Sequence, residues 1–280
     1  MSTLEALLLG VVQGLTEFLP ISSSGHLILV PWLQDYRFLL DHHDFNKTFD
    51  VALHAGTLCA ALAYFRVEVV RLTRSFLEAA RARAIASDEQ RIAVAIAVGT
   101  IPAVIIGGAG EGVIEDELGQ PWLIAILLIA FGLLLGHADS LPQRRSIRAL
   151  RVRDGLYIGL AQALALAPGT SRSGITITAA RYLGLDRDSA ARTSFLLLIP
   201  VVAGATLFSA AKAIHEGLPA GVGGPLVVGT LASAASGFVA IAWLLRLVRT
   251  HSYRPFVVYR VMVGIGCLLL IATGVRDATF

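Results

Sequence analysis

The chain has 280 residues, 55% of them hydrophobic and only 15% charged, with a formal net charge of +3. A soluble domain averages about 25% charged residues, so this composition, with a mean hydropathy of +0.71, excludes an ordinary soluble enzyme and defines a polytopic membrane protein. The basic balance (isoelectric point near 9.1) fits positively charged cytoplasmic loops rather than a nucleic-acid surface.

Leu4 to Gly14 is apolar but too short to cross a bilayer, which takes about 20 residues. No basic residue precedes it and Glu5 comes early, so no cleaved signal peptide is predicted. The stretch Gln13 to His26 follows, and it holds a carboxylate, serines, a glycine and a histidine inside an apolar segment. Glu17 is the sole carboxylate between Leu7 and Val30. An ionised side chain at bilayer depth costs roughly 2.5–3.5 kcal/mol on insertion scales, and is kept where it faces a partner, an ion or water. Pro20 and the Ser22–Ser23–Ser24 run break the helix and free backbone N–H groups. A second short apolar piece, Gly25 to Leu33, makes the whole a re-entrant hairpin, a form tolerated only when buried in protein or lining a wet cavity.

Asp35 to Asp50 is polar and reads as a loop, with His42, His43 and Asp44 read as solvated rather than metal-binding. Val51 to Phe65 is predicted to span. Arg66, Arg71, Arg74, Arg81 and Arg83 follow in an amphipathic linker ending near Glu89. Ile92 to Gly110 and Pro121 to Gly136 span again, with Glu111 to Glu117 as an acidic turn between them. Arg144, Arg145, Arg148, Arg151 and Arg153 form a second basic loop. From Gly155 the opening pattern returns. A short apolar piece runs to Ala167, Pro168-Gly169 breaks it, and Ser171 to Gly174 follows. Three further spans are predicted at Thr193–Ala211, Pro225–Leu245 and Pro255–Val275, with Arg246, Arg249 and Arg254 between the last two. Cys59 and Cys267 lie far apart in apolar spans and argue against a disulfide framework or a cysteine-rich metal site.

Placing all three basic segments in the cytoplasm works only if 155–182 returns to the side it enters from. Both termini then lie outside, and the first polar turn opens outward. The halves, about 1–142 and 150–280, also match in sequence. At a constant offset of 149 residues Gly10 pairs with Gly159, Gln13 with Gln162, Ser22 with Ser171, Ser24 with Ser173 and Gly25 with Gly174. The expected fold is therefore an all-α polytopic membrane protein, a single integral-membrane domain over 1–280. It is built as an inverted-topology repeat, each half one re-entrant helical hairpin plus three transmembrane helices. Such repeats place an anion site between half-helix N-termini.

The two turns together offer Glu17, Ser22, Ser23, Ser24, Gly25 and His26 from one side and Ser171, Arg172, Ser173 and Thr176 from the other. The guanidinium of Arg172 suits phosphate oxygens, and serines, glycines and free N–H groups form an anion cradle. Gln13 and Glu17, four apart on one helix face, can hold a hard divalent cation such as Mg²⁺ or Ca²⁺. His26 lies within one turn of Ser23, as base or acid toward that hydroxyl or toward a leaving oxygen. Against this stands plain helix packing by serines and a satisfied core histidine.

These residues resemble the undecaprenyl-diphosphatase (bacitracin-resistance) family in Gln13 to Glu17, Phe18 to His26, Pro168 to Thr176, Phe195 to Pro200 and Tyr259-Arg260. The resemblance implies a multi-pass inner-membrane phosphatase that converts undecaprenyl diphosphate to undecaprenyl phosphate and phosphate, regenerating the carrier lipid of peptidoglycan. It also implies a divalent cation and acid/base chemistry at Gln13 and Glu17, with His26 or Glu17 helping the attack on phosphorus. Ser23 and His26 would be the nucleophile or proton-transfer pair, Arg172 would bind the diphosphate, and Ser171, Ser173 and Thr176 would support it. Gln13 stands where many relatives have glutamate, which lowers the charge of the cation element. Attack by Ser23 or by water stays open at this point, as does assembly into a homodimer. The rival reading is a transporter or flippase of a phosphorylated polyprenyl lipid. A non-catalytic channel or lipid-binding protein is a third.

Overall fold

In the computed structural model of the chain, Ser2 opens the first helix: its hydroxyl accepts from the Glu5 N–H (3.2 Å), while the Glu5 carboxylate accepts from the Ser2 N–H (2.7 Å). The structure describes residues 1–34, 36, 43–142, 144–216 and 223–279, without the side chains of 43–47, 109–117 and 209–216. Helix α1 (Thr3–Phe18) and α2 (Ser23–Gln34) flank the first polar turn. After α3 (His43–Tyr64), α4 (Arg66–Ala82), α5 (Asp88–Leu118) and α6 (Pro121–Ser140), the pattern recurs as α7 (Val152–Ala163) and α8 (Arg172–Tyr182) around the second turn. Then come α9 (Arg187–Glu216), α10 (Gly223–Leu247) and α11 (Arg254–Ala272). All elements named among the described residues are helical.

The helices beside the polar turns have 16, 12, 12 and 11 residues, each short of a full crossing. Five others are long and apolar enough to cross, in α5, α6, α9, α10 and α11, and six if the bent pair of α3 and α4 counts as one. Those five coincide with predicted spans. The sixth expected span falls on α3, which turns by 84° into α4.

Two expectations are corrected. The loop assigned to Asp35–Asp50 ends early, because the backbone is helical from His43. His42 and the side chains of His43 and Asp44 lie outside the described residues. The acidic turn at Glu111–Glu117 is instead the continuation of α5, which runs 31 residues to Leu118. Glutamate, isoleucine and leucine are ordinary helix formers, and leaving the apolar layer ends a span without ending a helix.

The three basic segments gather at one end of the molecule. Arg91 donates to the carbonyls of Arg148 (2.7 Å) and Leu150 (2.9 Å). Arg192 reaches Glu68 at 3.3 Å, and Arg249 reaches Asp188 at 3.2 Å. The second basic segment is ordered, since Arg145 donates to the Leu183 carbonyl (2.7 Å) and to Asp154 (2.5 Å). At the same end Asp139, 6% exposed, accepts from Arg187 (2.6 Å) and from the Tyr253 N–H (2.9 Å). Burial pushes the Tyr253 phenol up, so it stays a neutral donor to the Arg187 carbonyl at 2.9 Å.

Small residues set the helix spacing. α1 packs on α10, and α7 packs on α5. A Cβ on Gly10 would fall on the Gly229 carbonyl, and one on Gly159 on the Gly99 carbonyl. Only glycine permits this backbone approach, the usual device where no hydrophobic force separates helix from lipid. At the inner end of α1, Phe18 meets Phe195 of α9 edge-on, with centroids 5.3 Å apart. That contact fixes the last turn of α1, where Glu17 sits.

Candidate active site

Both polar turns reach their helices through a serine in left-handed backbone. Ser22 has φ 77° and Ser171 has φ 73°, conformations that non-glycine residues rarely adopt. Each caps the helix that follows: the Ser22 hydroxyl accepts from the Gly25 N–H (3.3 Å) and the Ser171 hydroxyl from the Gly174 N–H (3.1 Å). Ser22 also accepts from the Gly169 N–H of the other turn (3.1 Å), and Ser173 donates to the Leu19 carbonyl (3.0 Å). The tips meet closely, since a Cβ on Gly25 would lie 3.4 Å from the Gly169 Cα.

Glu17 is the hub. It is 3% exposed, and its carboxylate accepts from the Gln13 amide (3.0 Å) and from the Ser23 hydroxyl (2.5 Å). Arg172, from the second turn, pairs with its other oxygen, and His54 Nε2 of α3 approaches to 3.6 Å. A carboxylate so placed is compensated by donors from α1 and both turns, the condition under which a buried charge is kept. The Ser23 hydroxyl donates to this carboxylate, an arrangement in which a carboxylate can take a proton from a serine.

His26 is engaged elsewhere. Its Nδ1 lies 2.7 Å from the Ser22 carbonyl and its Nε2 lies 2.8 Å from the Tyr259 hydroxyl, with the rings stacked 5.7 Å apart. A carbonyl only accepts, so Nδ1 carries the proton and Nε2 accepts from Tyr259. Of the two partners the sequence offers Ser23, His26 and Glu17, the structure gives its hydroxyl to Glu17. Thr176 turns away from the tips to the Arg172 carbonyl and Ser194 (both 2.7 Å). Ser24 is half-buried at the start of α2.

Arg260 of α11, fully buried, joins the turns from behind. It donates to the carbonyls of Pro20 (3.3 Å), Gly169 (2.9 Å) and Thr170 (3.0 Å), and to Leu127 and Leu128 on α6. This clamp, the His26–Tyr259 bond and His54 are absent from the sequence reading as site features. The adjacent pair Tyr259-Arg260 in an apolar helix was the available signal.

The two turns are not duplicates. At the offset of 149 residues, Arg172 is the counterpart of Ser23, and Leu166 that of Glu17. One turn thus supplies the carboxylate and hydroxyl, the other the guanidinium. Gln162 and Gln13 are both buried, Gln162 with both amide atoms unpaired and Gln13 with Oε1 unpaired.

The fold and site define a multi-pass helical membrane protein with a buried polar centre at the junction of two interrupted helices. The chain belongs to the family described as bacitracin resistance protein BacA, whose profile matches residues 6–266. It is 49% identical over 266 residues to a Geobacter sulfurreducens protein named undecaprenyl-diphosphatase, covering 94% of this chain and 96% of that one. It is 45% identical over 277 residues to a Pelobacter propionicus protein of the same name, covering 98% and 99%. A Thermomicrobium roseum protein, also so named, is 43% identical over 281 residues, covering 97% and 99%.

Proposed function

We propose that this chain hydrolyses undecaprenyl diphosphate to undecaprenyl phosphate and inorganic phosphate, recycling the carrier lipid for peptidoglycan and conferring bacitracin resistance. The observation that carries the mechanism is the Ser23 hydroxyl 2.5 Å from a carboxylate that also meets Arg172 of the opposite turn. Ser23 Oγ attacks the terminal phosphorus while Glu17 takes its proton. The bond to the bridging oxygen breaks, and undecaprenyl phosphate leaves. Water then attacks the phosphoserine, releases phosphate and restores the hydroxyl, with Glu17 as the proton carrier. Arg172 stabilises charge on the transferred group. His26, fixed between Ser22 and Tyr259, positions the start of α2, where Ser23 sits. Trapping of labelled phosphate on Ser23 distinguishes this route from direct attack by water.

A divalent cation would be held by Glu17 and Gln13 once the Gln13 amide turns: its Nε2 now faces Glu17, while its Oε1, a hard oxygen donor, is buried and unpaired. When bound, Mg²⁺ or Ca²⁺ supplies further neutralisation of the diphosphate. The inverted repeat belongs to the same reading. The matched left-handed serines and the exchanged packing of α1 on α10 and α7 on α5 support it.

The deciding experiment measures phosphate release from a prenyl diphosphate by purified protein in detergent, with Mg²⁺, Ca²⁺ or EDTA. Cation-dependent release is expected, reduced by about 10²–10³-fold in Arg172→Ala. No release from folded wild type under any cation would turn the reading to transport of a phosphorylated polyprenyl lipid.

We propose that the gathered basic end lies in the cytoplasm and that the polar centre opens to the periplasm of an inner membrane; the positive charge collected at that end supports this reading. In a background of Cys59→Ser and Cys267→Ser, a membrane-impermeant thiol reagent should label Ala278→Cys in intact spheroplasts. It should label Arg83→Cys only after permeabilisation. The reverse pattern overturns the orientation.

A further inference from the structure

Helix α4 has two apolar faces. Leu72, Ser75 and Ala79, spaced by three and four, are buried, and α4 packs on α5. A helix surrounded by water would end its apolar surface there. Instead Val67, Val70 and Leu77 are 71%, 50% and 47% exposed. At about 100° per residue they centre on the side opposite the buried stripe. Arg66, Arg74 and Arg81 interleave with them on that outward side, with Arg71 on its flank, and all are exposed.

Orientation in a membrane requires only positive charge, which the loop at 144–153 already carries. The second aliphatic stripe needs an apolar neighbour. α4 departs from α3 at 84°, so it runs across the direction of that helix, at the end where the basic segments gather. The boundary between headgroups and acyl chains meets both needs. It covers Val67, Val70 and Leu77, and the arginine stems reach over them to phosphate. A groove of about 570 Å³ runs along the outward side to the edge of the buried stripe, lined by Arg66, Val67, Val70, Arg71, Arg74 and Glu78, with Ser75 at that edge. Three guanidinium groups face one carboxylate there; Arg71 has a second acidic neighbour in Glu89, 3.9 Å away and half exposed. The groove is therefore net cationic, and its forked donors match phosphate oxygens.

We infer that α4 lies in the headgroup layer and that its groove holds an anionic phospholipid of the same leaflet, at a site separate from the Glu17–Arg172 centre. Nothing in this assignment depends on the reaction proposed above.

The test uses the full chain in nanodiscs of mixed phosphatidylcholine and phosphatidylglycerol, released for native mass spectrometry. Wild type should retain phosphatidylglycerol in preference to phosphatidylcholine, and excess inorganic phosphate should not displace it. Combined Arg66→Gln, Arg71→Gln and Arg74→Gln should lose that preference, by about fivefold per arginine removed. Combined Arg144→Gln, Arg148→Gln and Arg153→Gln should keep it. Size-exclusion profile and melting midpoint report folding. Should the triple variant not fold, Arg74→Gln alone should still show the single-residue loss. Equal retention of both lipids by wild type, unchanged preference in the α4 variants, or displacement by free phosphate would each overturn the assignment.

Discussion

Glu17→Gln is expected to lower phosphate release by about 10³-fold while leaving the protein folded. The carboxylate accepts from Ser23 at 2.5 Å and from Gln13 at 3.0 Å, and it pairs with Arg172. An amide of the same shape keeps one acceptor oxygen but takes no proton from Ser23. Its N–H₂ group also faces donors, leaving at least one of them unpaired in a buried site. Glu17→Asp, which restores the charge on a shorter stem, should recover part of the rate. Initial rates on a soluble short-chain prenyl diphosphate, with circular dichroism on the same samples, make the comparison. Turnover equal to wild type in Glu17→Gln would remove Glu17 as the proton acceptor.

Arg260→Met should be the most damaging single change to stability, at about 3–5 kcal/mol. The side chain fills similar space, but five backbone carbonyls on both turns and α6 lose a cationic donor. The carbonyls of Pro20, Gly169 and Thr170 belong to buried turn residues, so their desolvation goes uncompensated, while those of Leu127 and Leu128 keep their helical N–H partners. The melting midpoint in detergent should fall by roughly 10 °C. Arg260→Lys should rescue little, because a single ammonium cannot bridge carbonyls spread along a planar fork. A Met variant that melts with wild type would show that the turns hold together without the clamp.

Much of this site is local in sequence. Glu17, the serine run, Pro20 and the returning Ser171–Gly174 pattern are each anomalies within an apolar stretch, visible because the bilayer tolerates so few polar groups. Spans are legible for the same reason. The polar inventory of the tips was readable, but the pairing within it was not. Ser23 bonds Glu17 because the turn at 19–22 folds its hydroxyl back over the end of α1. His26 bonds Tyr259, 233 positions away, and no periodicity encodes which distant helix arrives at that spot. Arg260 reads as an isolated charge in an apolar helix until five carbonyls are found around it. His54 sits on a helix whose N-terminal half reads as a loop, because histidine and aspartate there suppress the apolar signal while the backbone continues its hydrogen bonds. α5 shows the converse error, a helix cut short on paper where its composition changes and its geometry does not.

The pairing of Arg172 with Glu17 has one more consequence, for affinity. In the proposed reaction an arriving diphosphate meets a guanidinium whose forked donors already hold an anion. Binding is then an exchange of one counter-charge for another, and its strength is the difference between two similar contacts, not the whole worth of either. The free carboxylate left behind becomes a better base at the moment the phosphate is seated. A ligand that mimics only the anion competes with the protein's own side chain and gains little. One that also gives Glu17 a new donor replaces both halves of the broken pair, and that is the chemistry an inhibitor of this centre would have to carry.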